Sequence, residues 1–159
     1  MKGEHKLGDP LIPGTWIPIK ESTVMVGLGW DFTGKETFDL DASITAVDEK
    51  FNVIEYIYYN NKKGLKGSVI HFGDNLTGEG DGDDEVIQVD LNRIPPDVYY
   101  LAVTINSYSK NSLINAQSAY IRIFTKSYNI GQYTLARTKD CIGLLLGVFQ
   151  RDPTQNIWY

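Results

Sequence analysis

The run Gly73-Asp74-Asn75-Leu76-Thr77-Gly78-Glu79-Gly80-Asp81-Gly82-Asp83-Asp84-Glu85 holds six carboxylates, one carboxamide, one hydroxyl and four glycines. Two unit charges ~4 Å apart repel by about 1 kcal/mol in water and ~4 kcal/mol near a protein surface. A folded loop must therefore protonate such groups, splay them into solvent or neutralise them with a cation. The glycines favour the cation, because they permit the positive φ values and sharp reversals that turn several oxygens towards one point. Ca²⁺ takes about six to eight oxygens at roughly 2.3–2.6 Å in a loosely specified geometry. With two histidines and one cysteine in the chain, zinc and copper have no plausible ligand set.

A second oxygen source lies upstream, in Phe38-Asp39-Leu40-Asp41-Ala42-Ser43. On a strand, this alternation puts Asp39 and Asp41 on one face, ~6.6–7 Å apart along the chain, and turns Phe38, Leu40 and Ala42 to the core. Two carboxylates on a rigid strand make half of a site to which a glycine-rich loop can close. Asp31, Asn60 and Asn61 are further candidate ligands or supporting groups. An EF-hand counted from Glu79 brings Asp90 to the last ligand position but Asp84 to the position that needs glycine, and the flanks read as strands. A β-roll would need tandem copies, and a phosphate-binding loop would need Gly-Lys-Ser/Thr and fewer acids. Catalysis lacks its parts: there is no Gly-x-Ser-x-Gly elbow and no Cys/His pairing, and carboxylates crowded around a cation leave none neutral to act as an acid. The chain reads as a binding protein and not an enzyme.

The elements that must carry these groups read as strands. Apolar residues alternate with period two, or form short β-branched and aromatic runs, over 23–30, 38–47, 53–59, 68–72, 86–91, 98–106, 120–125, 133–137 and 144–150. Turn clusters separate them, such as Asp48-Glu49-Lys50, Asn60-Asn61-Lys62-Lys63-Gly64 and Pro95-Pro96-Asp97. The pattern predicts an all-β protein, an antiparallel β-sandwich of about eight to ten strands with at most one or two short helices, and one helical turn or a short helix within 110–117. Residues 1–18 are rich in Pro and Gly and read as an arm with poor order; residues 19–159 read as one domain. His71 is expected to be a strand residue with a hydrogen bond, Cys141 a packed thiol, and the tyrosines of 56–59 and 99–100 sandwich packing.

Composition sets the remaining bounds. The 159 residues are 42% hydrophobic and 22% charged, ordinary for a folded domain. The net charge of −5 is local: seven acids and no Lys or Arg lie between Gly67 and Asn92, and outside that stretch 13 acids face 15 bases. Such a surface repels nucleic acid and anionic lipid. No apolar run approaches the ~18 residues of a membrane span. A single cysteine and a first segment without an apolar core point to a cytoplasmic protein.

The segments Val26-Gly27-Leu28-Gly29-Trp30-Asp31, Phe38 to Ser43, Tyr58-Tyr59-Asn60-Asn61 and His71 to Glu85 together resemble the TerD family of tellurium-resistance and general-stress proteins. The likeness runs from about Val24 to about Gly147, and the long acidic block is its most specific part. It implies a β-sandwich, a stress-response association and two neighbouring Ca²⁺ sites built from these acidic segments. The candidate ligands are then Asp31, Asp39, Leu40, Asp41, Asn61, Asp74, Asn75, Thr77, Glu79, Gly80, Asp81, Asp83, Asp84 and Glu85. Where the family pattern carries an acid before Phe38, this chain has Thr37, a hydroxyl in place of a carboxylate. A cyclic-AMP-binding label on some eukaryotic relatives adds a second reading, a calcium-dependent receptor for a small anionic ligand. A third is a module whose metal rigidifies a surface for a protein partner.

Overall fold

The computed structural model describes residues 4–30, 39–74, 82–108, 112–115, 119–135 and 140–159. Along the central strands every second residue is apolar and buried, so these strands have a dry face to cover. In β1 (Thr23–Gly29) these are Val24, Val26 and Leu28; in β2 (Leu40–Val47) they are Leu40, Ala42, Ile44 and Ala46. Leu101, Val103 and Ile105 play the same part in β7 (Tyr100–Ser107), and Ile87 and Val89 in β6 (Glu85–Asp90). Burying one of the valine, leucine or isoleucine side chains stabilises the fold by about 1.5–3 kcal/mol.

Two antiparallel sheets meet over this core. With β3 (Val53–Ile57), β4 (Lys63–Gly64), β5 (Val69–Asp74), β8 (Tyr120–Phe124), β9 (Asn129–Thr134), β10 (Gly143–Asp152) and β11 (Ile157–Trp158), the six-stranded sheet has the order β4-β5-β6-β1-β8-β9 and the five-stranded sheet β11-β10-β7-β2-β3. The expected all-β sandwich is thus the observed one. The helical turn or short helix expected in 110–117 is found, within the described residues, as a three-residue 3-10 turn, Leu113–Asn115.

Strand β9 begins four residues before the expected 133–137. Its first half, Asn129-Ile130-Gly131-Gln132, lacks apolar alternation because Leu11 of the N-terminal arm packs over Gly131. That arm ties the two sheets together: the Leu11 amide donates to Gln132 O at 2.8 Å and the Ile19 amide to Trp158 O at 2.7 Å. Among the described residues no helix is long and apolar enough to cross a membrane.

The feature that matters for chemistry is where β3 stops. Its ladder with β2 runs from Val47↔Val53 to Ile44↔Ile57. Strand β2 continues past that point to Leu40 with β7 alone on its other side. The polar backbone groups of Ala42 on the β3 side therefore need partners from elsewhere.

Candidate functional site

Those partners come from the opposite sheet. The Ala42 amide donates to Glu85 Oε2 at 2.6 Å, and Ala42 O accepts from His71 Nε2 at 3.2 Å. The period of two puts Glu85 in line with Ile87 and Val89, so its carboxylate points into the sandwich and is only 1% exposed. His71, in line with Val69 on β5, is buried beside it, with Nε2 3.6 Å from Glu85 Oε2. The other ring nitrogen, Nδ1, accepts the Gly73 amide at 2.9 Å, which leaves the ring proton on Nε2 to serve Ala42. That contact needs the tight reversal at Gly73, where φ is +75° and the β5–β6 register shifts between His71 and Asp74.

Glu85 Oε1 has no hydrogen-bond partner among the described residues. A buried polar atom left without a partner costs about 1–3 kcal/mol, and more when it carries charge. Glu85 lines a cleft of about 260 Å³ together with Asp39, Asp41, Tyr59, Lys62, His71, Gly73 and Tyr108. The half-exposed Asp41 and the exposed Asp39 stand on the side of β2 opposite to the buried Leu40 and Ala42, as the alternation predicts. The Tyr108 amide donates to Asp39 O at 2.9 Å and fixes the end of that segment. Tyr59 is harder to ionise than an ordinary tyrosine, because of burial first and then the neighbouring Tyr108, Tyr58 and Asp41.

The other acids of the run are placed elsewhere. Asp83 lies on the outer face of the six-stranded sheet, paired with Arg122 at 2.6 Å, and the Arg122 guanidinium stacks 3.9 Å over the Phe124 ring. Gly27 and Gly29 make room for this layer: a Cβ on the first would overlap the Asp83 carboxyl group, and on the second the Tyr120 ring. Burial, then the charge and hydrogen bond of Asp83, push the Tyr120 hydroxyl up to about 12. Asp84 pins its segment to the end of β1, accepting the Trp30 amide at 2.8 Å and donating its own amide to Leu28 O at 2.7 Å.

The structure thus brings Asp39, Asp41 and Glu85 to one cleft. Leu40 is a buried core residue next to them, and Asp74 ends β5 opposite Glu85 in the β5–β6 register. Asn61 closes the 58–61 turn, donating to Tyr56 O at 2.7 Å, and Asn60 is an exposed turn residue. Asp31, Asn75, Thr77, Glu79, Gly80 and Asp81 lie outside the described residues, as does Thr37. Among the described residues no three His, Cys, Asp or Glu side chains converge in metal-binding geometry. Tyr59, Lys62 and Tyr108 were not foreseen as site residues. They stand in turns or just past a strand end, where no periodic signal marks them.

The family model of the TerD domain matches residues 12–155. The chain belongs to the TerD family. It is 36% identical over 138 residues to the tellurium resistance protein TerZ of Serratia marcescens, a match covering 86% of this chain and 70% of that one. It is 43% identical over 109 residues to the tellurium resistance protein TerD of Alcaligenes sp, covering 63% of this chain and 57% of that one. The chain therefore spans little more than half the length of some TerD relatives. The crystal structure of a homologue of telluride resistance protein (TerD) from Streptomyces coelicolor A3(2) superposes with a TM-score of 0.72. It covers 87% of this chain and 85% of that one at 16% identity, a likeness of fold alone.

Proposed function

We propose that this TerD domain is a calcium-binding module that acts in a cytoplasmic stress response through binding and not catalysis. The observation that carries the reading is Glu85: a carboxylate 1% exposed, with one oxygen held by the Ala42 amide and the other without a partner, lining one cleft with Asp39 and Asp41. Carboxylates that line one cleft from a strand and from the opposite sheet suit a hard divalent ion, and Ca²⁺ tolerates an irregular ligand set better than Mg²⁺. Asp39, Asp41 and Glu85 would hold the ion from within the described residues. The acids at 74–81 and Asp31 are the sequence candidates for the further oxygens that two ions would need. The ion supplies charge neutralisation and a rigid, oxygen-rich surface. The names of the relatives, tellurium resistance and general stress proteins, support the cellular setting.

Calorimetric titration of chelator-stripped protein with Ca²⁺ tests this. Asp39→Asn with Asp41→Asn should abolish one binding step. Unchanged stoichiometry in the double variant would remove the β2 half of the site.

A further inference from the structure

We infer that the apolar slot between the sheets, under the N-terminal arm, binds one neutral alkyl chain of the kind carried by a long-chain alcohol. The slot shares no described residue with the acidic cleft and calls for no metal. Ile123 pairs with Val26, Leu144 with Ile105 and Gly147 with Val103, so all three turn inward. Their partners are at most 2% exposed, yet Ile123 and Leu144 are only partly buried and Gly147 is exposed. The core is thus closed along β1, β2 and β7 and open where β8 and β9 come opposite β10, leaving a space of about 500 Å³. A Cβ on Gly147 would find no described atom within 4 Å, although the neighbouring Val103 is fully packed.

The arm roofs this space, with Leu11 to Ile17 and Ile19 along its lining. Between the Leu11 anchor on β9 and the Ile19 anchor on β11 its hydrogen bonds are internal, the Thr15 amide and hydroxyl both donating to Ile12 O. The roof can therefore shift over an incoming chain without breaking a bond to either sheet.

The walls say what fits. The slot follows β10 from Leu144 to Phe149, ~16 Å at about 3.3 Å per residue, which suits an extended chain better than a compact ring. Among the described residues that line it none is Lys, Arg, His, Asp or Glu, and its hydroxyl groups are those of Thr15, Tyr133 and Tyr159. A carboxylate or phosphate would give up its water there without meeting a cation, whereas an alcohol can exchange water for a hydroxyl. A cavity of about 150 Å³ lined by Leu, Ile and Phe already takes up benzene, and this slot is roughly three times larger.

Calorimetric titration of the full chain with n-butanol, n-hexanol and n-octanol tests the inference. Saturable uptake of one molecule per protein is expected, tightening about fourfold for each added methylene, the ~0.8 kcal/mol of a buried CH₂. Octanoate should bind at least about tenfold more weakly than n-octanol, because its charge finds no partner on the walls. Gly147→Leu fills the slot from β10 and Ile123→Phe fills it from β8. Each should weaken n-octanol by about tenfold or more, while Gly147→Leu leaves Tm unchanged or raised. Equal affinities along the alcohol series, octanoate binding as tightly as n-octanol, or wild-type affinity in either folded variant would overturn the inference. So would a protein that sediments as a dimer and takes up no alcohol, since a second copy would then cover the slot. The calcium reading is untouched by any of these results.

Discussion

Glu85→Gln separates a metal ligand from a structural strut, because the two roles predict opposite patterns with and without calcium. In the metal-free protein the glutamine oxygen can still accept the Ala42 amide that Oε2 now takes at 2.6 Å. Exchanging a charged acceptor for a neutral one loses about 1 kcal/mol. The substitution also removes a negative charge from a position that is 1% exposed, and gives the place of the partnerless Oε1 to an amide that can donate. Relief of a buried charge is worth as much or more, so metal-free stability should hold within about 1 kcal/mol or rise. Calcium reverses the comparison. At a hundredfold excess over its dissociation constant, an ion that binds only the folded state stabilises it by about 2.7 kcal/mol. For a chain of this length each kcal/mol moves Tm by roughly 2–4 °C, so wild type should gain about 5–11 °C. The variant should gain less than about a third of that. Thermal denaturation followed by near-ultraviolet circular dichroism, with and without calcium, reads both numbers. A variant that keeps the full calcium increment, or that loses more than about 3 kcal/mol without calcium, would show that Glu85 is only a strut between the sheets.

Arg122→Met removes the cation paired with the buried Asp83 carboxylate, which keeps its hydrogen bond with Tyr120, and should cost about 2 kcal/mol in urea denaturation, below the ~3–5 kcal/mol of a fully buried pair because Arg122 is partly exposed. Adding Asp83→Asn should recover at least half, and a single-variant loss below about 0.5 kcal/mol would mark the pair as an ordinary surface one. Asp48 accepts the Asn52 side chain and the amides of Asn52 and Lys50 at the β2–β3 turn, and the Asn52 side chain is the main cause that holds its carboxyl below 3.8. Its stabilising effect is present above pH 3.8 and lost as pH falls through the lowered native value. In Asn52→Ala, NMR titration should find that value moved up towards 3.8, and no movement would refute the assignment.

How far the site can be read from the chain depends on the range of the interactions. The alternation of Asp39-Leu40-Asp41-Ala42 places two acids on one face and two apolar residues in the core, as found, because neighbours along a strand decide it. Glu85 was legible as an acid but not as a buried one. The signal was there, since it keeps step with Ile87 and Val89, but the surrounding acids make it look like part of the loop. Asp83 and Glu85 are two residues apart and part company because Arg122, 39 residues away, claims the first while Ala42, 43 residues away, claims the second. Nothing local distinguishes them. The cleft walls depend on longer-range placement still: Tyr59 and Lys62 come from the turn beyond β3 and Tyr108 from the end of β7, and only the stopping point of β3 makes them neighbours.

The proposed function requires a divalent ion in that cleft. Elemental analysis of the purified protein, dialysed against calcium buffer without chelator and counted per chain, measures it directly. At least one calcium per chain is expected, rising to two if the acids at 74–81 complete a second site, and falling in Glu85→Gln. A wild-type protein that stays metal-free after dialysis against millimolar calcium would contradict it.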